Sequence, residues 1–395
     1  VSTPPFANIL AMRLERDGTM SVFFMNGHIE TATLRREVFG PTSAIAASTY
    51  LPLPSLLHLQ TTRDDEIIFD LPRPPDLAPL RDRPTIYLDQ NHWSTLTNAI
   101  HEPDRITDKR ERAAAAQLIE LAIARKIVLP MSSAHMSETC KQVDAEQRYR
   151  RALTIAQLSA GWQLRDPLAL RQFELQQALT IRYRHYCLLP PAAITLEPDA
   201  VHSGRDKALP EVSADLFPDA QWAVHAVGCA GGIVDALLDA EHIPMPPVPG
   251  WADEFQRFAG FLQDNPTGKE MKRRRTHARF IADLERELAE AAQRATITPE
   301  EMSDWRLNYS DEDLRYMPAL GLFREVLHEK LSDGQLQWAD NDLLDMMYLT
   351  SAAGYCDHVV GERAHISHIA NGLRRLGRTG VALHRNLRSL VKQFE

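Results

Sequence analysis

Hydrophobic and polar residues change their spacing twice along the chain. In the first 75 residues, short β-type runs flank Asp17-Gly18 in "ILAMRLERDGTMSVFFMNGHIETATLRREVF". A two-residue Asp-Gly step between such runs predicts a hairpin. "DEIIFDLP" (65–72) predicts a further strand, so residues 1–75 are expected to form a small β-rich module. "LPRPPDLAPLRDRP" (71–84) holds five prolines and predicts a break, with 76–84 as the linker. From Thr85 the pattern alternates. A strand at 85–89 precedes "DKRERAAAAQLIELAIARK" (108–126), whose apolar positions recur at helical spacing. "IVLPMS" (127–132) predicts a second strand. A helix follows, opening at Ser132 or Ser133, both good N-caps. Residues 150–330 are mostly helical, broken by Pro-rich stretches at 189–219 and 244–249. The chain closes with a helix (339–354), a strand (357–362), another helix and a last strand (380–385). Strands alternating with helices predict an α/β domain with a parallel sheet covered on both faces. The expected segments are 85–150 and 335–395 for that domain, with 151–334 as a helical insertion.

Composition narrows the classes. Charged residues make up 25% of 395 and the net charge is −9, so a general nucleic-acid coat protein is excluded and any polyanion must meet a local basic patch. The four cysteines, Cys140, Cys187, Cys229 and Cys356, form no C-x-x-C pair, which excludes a zinc ribbon or dithiol motif and fits a reducing compartment. The N-terminal residues show no basic-then-apolar signal. The most apolar stretch, 223–240, carries His225, Asp235 and Asp239 and falls short of a span of ~20 apolar residues. The expectation is a cytoplasmic protein without a membrane partner.

The chemistry lies in carboxylates. Parallel α/β sheets act outside the carboxyl ends of their strands, where "IYLDQNHWS" places Asp89. Glu138 sits on the helix after the second strand. Asp342 and Asp345, three apart, share a helix face, and Asn341 joins that face with Asp345. Asp357 opens a later strand and Glu362 follows it. Converging carboxylates repel one another unless a cation intervenes, and Asp and Glu oxygens suit hard ions such as Mg²⁺ or Mn²⁺. Each residue taken singly has a plainer reading: Asp89 and Asp342 as helix caps, Asp345 and Glu138 as solvated face residues.

As an ordered set they resemble the PIN-domain nucleases in three pieces: "IYLDQNHWS", "VLPMSSAHMSE" and "NDLLDMMYLTSAAGYCDHVVGE". The resemblance implies a PIN-like fold and a Mg²⁺- or Mn²⁺-dependent endoribonuclease, with Asp89, Glu138 and Asp345 at the first three acidic positions and Asp342 competing for the third. The family closes with Thr or Ser, one residue, then Asp. Here those positions read Gly361-Glu362-Arg363, so Glu362 or Asp357 supplies the fourth carboxylate or none does. The interval of 204 positions from Glu138 to Asp342 exceeds the family norm. Direct ligation is expected of Asp89, Glu138, Asp345 and Asp357. Asn91 would hydrogen-bond a ligand carboxylate or the attacking water. RNA is favoured as substrate, with DNA open, and a toxin or defence role is compatible with the resemblance. A second copy of the chain and an inhibitory protein both stay open as partners.

Two basic stretches are candidates for holding phosphate: Lys272, Arg273, Arg274, Arg275 and Arg279 at the start of a long helix, and Arg374, Arg375 and Arg378 near the C-terminus. A solvated, ion-paired helix face is the plainer reading. The pairs His135/Glu138 and His365/His368 lack the partners of a zinc motif, and "GCAGG" (228–232) lacks the Lys-Ser/Thr of a Walker loop. Two rival classes remain. One is a PIN-like scaffold that binds RNA or protein without cutting. The other is a haloacid-dehalogenase-type phosphatase, whose second Asp is replaced here by Asn91, which cannot act as an acid.

Overall fold

A computed structural model describes residues 8–33, 39–40, 42–71, 82–197, 200–201, 218–238, 250–339 and 341–394. The strands are β1 (Ile9–Glu15), β2 (Thr19–Phe24), β3 (Ile29–Thr33), β4 (Ile45–Leu51), β5 (Leu56–Thr61), β6 (Glu66–Asp70), β7 (Ile86–Leu88), β8 (Gln163–Leu164), β9 (Ile194–Thr195), β10 (His358–Val360) and β11 (Ala382–His384). The first helices are α1 (Gln90–His101), α2 (Lys109–Ile123), α3 (Ser133–Cys140), α4 (Ala145–Ser159), α5 (Pro167–Arg184), α6 (Pro218–Leu238), α7 (Trp251–Asp264) and α8 (Lys269–Asp283). They are followed by α9 (Glu285–Arg294), α10 (Pro299–Asp304), α11 (Ser310–Tyr316), α12 (Pro318–Ser332), α13 (Asp342–Tyr355), α14 (Arg363–Leu376) and α15 (Leu387–Val391). The protein is mixed α/β. It divides into two compact units, one of 1–85, 93–164 and 194–244, the other of 86–92, 165–193 and 245–395. Residues 93–150, expected with the 85–89 strand, thus group with the N-terminal sheet. Most of the linker, residues 76–81, lies outside the described residues.

The first unit is built on an antiparallel six-stranded sheet of order β3-β2-β1-β4-β5-β6. The β1–β2 hairpin turns at Asp17-Gly18, where the Asp17 carboxylate accepts the Thr19 N–H at 2.8 Å. Alternation decides which face is covered. Leu57, Leu59 and Thr61 of β5 and Ile67 and Phe69 of β6 point inward, while β3 is exposed along its length. Residues 127–132 form no strand. Val128 and Met131 make isolated parallel bridges to Thr85 and Gln163, because Pro130 between them has no N–H for a ladder. Ser132 caps α3, and its N–H donates to His135 Nδ1 at 3.1 Å. The helix expected to run on from there breaks after Cys140, and α4 restarts behind an Asp144 cap.

In the second unit, β7, β10 and β11 form a parallel sheet of order β11-β10-β7. His358 lies opposite Ile86 and Val360 opposite Leu88. β7 is wholly buried, as a strand covered on both sides requires. α12 is buried over most of its surface, its apolar residues enclosing the charged Arg324, Glu325 and Lys330. Its neighbours come close because of glycines. A Cβ on Gly372 of α14 would meet Leu322 Cδ1 at 2.8 Å, and one on Gly354 of α13 would meet the Pro318 carbonyl carbon at 2.8 Å. Glu174 is buried beneath the start of α12. Its carboxylate accepts the Ala319 and Leu320 N–H groups at 2.7 and 2.8 Å and the Tyr355 hydroxyl at 2.7 Å. The long helix expected at 268–294 is interrupted at Leu284, between α8 and α9.

Candidate functional site

The carboxyl ends of β7 and β10 meet side by side. The Asp89 N–H donates to Val360 O at 2.9 Å, which extends the ladder by one residue and sets Asp89 beside Gly361 and Glu362. Asp89 also opens α1: its Oδ1 accepts the Gln90 N–H at 2.7 Å. Burial raises its pKa, and the Glu362 charge raises it further, against the hydrogen bond from Gln90 and the pull of His365. Asn91, one residue into α1, donates to Glu362 Oε1 at 2.5 Å. Glu362 is the residue from which α14 starts.

His365 is the third residue of α14. Its Nε2 stands 3.8 Å from Asp345 Oδ2. The charges of Asp89, Asp342 and Glu362 favour its protonated form. Its pKa is nonetheless lowered, first by burial and then by the ammonium of Lys330. Asp345 accepts from Asn341 Nδ2 at 3.2 Å, so both polar residues of that helix face are engaged together. Asp342 is occupied differently. Its Oδ1 receives Lys330 Nζ at 2.5 Å and its Oδ2 receives the Ala339 N–H at 2.8 Å.

One carboxylate of the set stands at the other end of the sheet. Asp357 precedes β10 and is exposed at the sheet end opposite Asp89, because the strands are parallel and in register. Glu138 belongs to the first unit, on α3, where its Oε1 accepts from Lys141 Nζ at 2.7 Å.

The basic residues are largely engaged within the second unit. Arg273 donates to both oxygens of Glu325, at 2.9 and 2.6 Å, and Arg375 donates to Glu325 Oε2 at 3.0 Å and to Glu329 at 2.8 Å. Arg279 pairs with Glu254 and Asp283, and Arg274 with Glu270. Lys272 donates to Ser332 O and Arg275 to Asn265 O. Arg378 donates to the carbonyls of Pro318, Met317 and Arg315. Arg273 and Arg375 converge on Glu325 because its side chain is fully buried and its charge needs compensation. Arg274 and Arg374 present their guanidinium groups most openly.

His365 and Lys330 were not among the residues the sequence singled out for this site. A lysine on a buried helix carries no local signal, whereas His365 could have been found from its place in the first turn of the helix that follows β10.

No known protein family, no curated protein and no solved structure matches the chain. The chemistry is therefore argued from the donor set. Asp89 and Glu362 offer hard oxygens just past the ends of adjacent strands, and Asp345 offers one 3.8 Å from the His365 imidazole; burial, and after it the Glu362 charge, raises the pKa of Asp89. Such a set suits a hard divalent cation. Among the described residues, no three His, Cys, Asp or Glu side chains stand preassembled as ligands. Among them also, no helix is long and apolar enough to cross a membrane.

Proposed function

We propose that this chain is a PIN-like, Mg²⁺- or Mn²⁺-dependent endoribonuclease whose site lies at the carboxyl ends of β7 and β10. The observation that carries the reading is the placement of Asp89 and Glu362 just past the carboxyl ends of adjacent parallel strands, with Asp345 3.8 Å from the His365 imidazole. Asp89, Glu362 and Asp345 would hold the cation, which supplies an acidified water and neutralises phosphate oxygens during in-line attack. Asn91 fixes Glu362 by donating to it, and Asn341 fixes Asp345 in the same way. Outer hydrogen bonds of this kind orient the carboxylates they touch. His365, with its lowered pKa, presents a neutral ring to the carboxylates at neutral pH. Arg274 and Arg374 are the open cations best able to meet phosphate.

The test is cleavage of a mixed set of single-stranded and hairpin RNAs, with DNA counterparts, in Mn²⁺. The reading expects 5′-phosphate and 3′-hydroxyl ends, loss of cleavage in EDTA, and loss in Asp89→Asn. Cleavage that persists in EDTA, or in Asp89→Asn, defeats it. RNA binding without cleavage in any divalent metal replaces it with a non-cleaving scaffold.

A further inference from the structure

Lys330 is a buried cation whose charge acts on His365. Its side chain is 3% exposed, in the last turn of α12, and its ammonium stands 4.8 Å from the centre of the Trp338 ring. A lysine ammonium so enclosed is tolerated only when a carboxylate compensates it. Asp342 provides that compensation at 2.5 Å, and its second oxygen closes the start of α13 by accepting from Ala339. Both Asp342 oxygens are thus committed. A divalent ion brought onto Asp342 would also meet a fixed ammonium. Asp345 lies one helical turn away on the same face and turns to Asn341 and His365 instead.

We propose that Lys330 is a positioning residue: a built-in ammonium that removes Asp342 from the ligand set and leaves Asp345 as the carboxylate of α13 that meets the divalent cation. This rests on the metal-dependent reading above and deepens it. It assigns the two carboxylates different work. Asp342 anchors Lys330 and the helix start, while Asp345 faces the cation. It also fixes the metal content at one ion per chain, because the second positive charge is already carried by the protein.

Mn²⁺ titration of the full chain, read by the electron paramagnetic resonance of free Mn²⁺, tests this without reference to cleavage. The expected result is one ion per chain in the wild type. Asp345→Asn weakens binding at least tenfold, whereas Asp342→Asn combined with Lys330→Met, which removes the buried pair together, changes it less than threefold. Lys330→Met alone frees Asp342 and admits a second ion, and Lys330→Arg, which keeps the charge, retains one. The proposal is overturned if the double variant weakens binding as much as Asp345→Asn, if the wild type binds two ions, or if a folded Lys330→Met binds as the wild type does. Should Lys330→Met alone fail to fold, the comparison of the double variant with Asp345→Asn decides. A wild type that binds no Mn²⁺ removes the metal reading and this proposal together. Binding with the wrong residue dependence removes the proposal only.

Discussion

Replacing Glu325 with Gln should destabilise the second unit severely. The Glu325 side chain is 0% exposed and accepts from Arg273 at 2.9 and 2.6 Å, from Arg375 at 3.0 Å and from Arg324 at 3.2 Å. Arg324 is itself only 1% exposed. Burial alone would raise the Glu325 pKa, but the Arg273 hydrogen bonds and the Arg273 and Arg324 charges hold it at about 2 against an ordinary 4.5. That difference corresponds to about 3 kcal/mol in favour of the folded, ionised form. Removing one partner of a buried charged group costs a similar amount, about 3–5 kcal/mol, because the others are left unpaired. For a unit of this size each kcal/mol moves the melting temperature by about 2–4 °C, so Glu325→Gln should melt about 6–20 °C lower at pH 7. The carboxyl pKa is lowered on folding. Its stabilisation is therefore complete above pH 4.5 and lost as the pH falls toward 2, and the gap between variant and wild type should narrow over that range. Differential scanning calorimetry reads the shift. A fall of less than about 3 °C at pH 7 would show that the arginines do not depend on this carboxylate and refute the argument.

Further outcomes follow from the same structure. His277, His328 and His384 have pKa values pushed down to about 3, 4 and 4, chiefly by burial, so the unfolded chain takes up protons first. Stability should fall as the pH drops from 6.5 toward 4, and a melting temperature constant over that range would contradict this. Glu174→Ala orphans the Ala319 and Leu320 N–H groups and the Tyr355 hydroxyl, each worth about 1–3 kcal/mol when buried, and chemical denaturation should detect a loss of at least about 2 kcal/mol. Arg274→Ala with Arg374→Ala should leave the melting temperature unchanged but lower the salt slope of RNA binding by about 1–2, as loss of two phosphate contacts requires. An unchanged slope would place the phosphate-binding surface elsewhere.

Local signals in the sequence reached the elements and the ends of strands. Asp17-Gly18 marked its hairpin, and the break from Ile86-Tyr87-Leu88 into Asp89 marked the end of β7. Pro130 also carried a signal, since a missing N–H within a six-residue apolar run argues against a ladder there. What could not be read were facts of packing. The register of β10 against β7 sets Glu362 beside Asp89 and sends Asp357 to the other end, although both residues flank the same short strand. The run Arg273-Arg274-Arg275 reads as one basic stretch, yet successive helix positions diverge in direction. Arg273 turns inward to Glu325, Arg274 pairs outward with Glu270, and Arg275 folds back to Asn265. Lys330 gained its significance only when α12 was packed against the start of α13.

The central claim, that Asp89, Glu362 and Asp345 share a divalent cation, is tested most directly by crystals soaked in Mn²⁺ and measured for anomalous scattering. The account predicts a peak within about 2.0–2.6 Å of oxygens from these three side chains, the range of hard-cation ligation. It predicts none at Asp357. A peak at Asp357, or a well-ordered site that stays empty at saturating Mn²⁺, would contradict it.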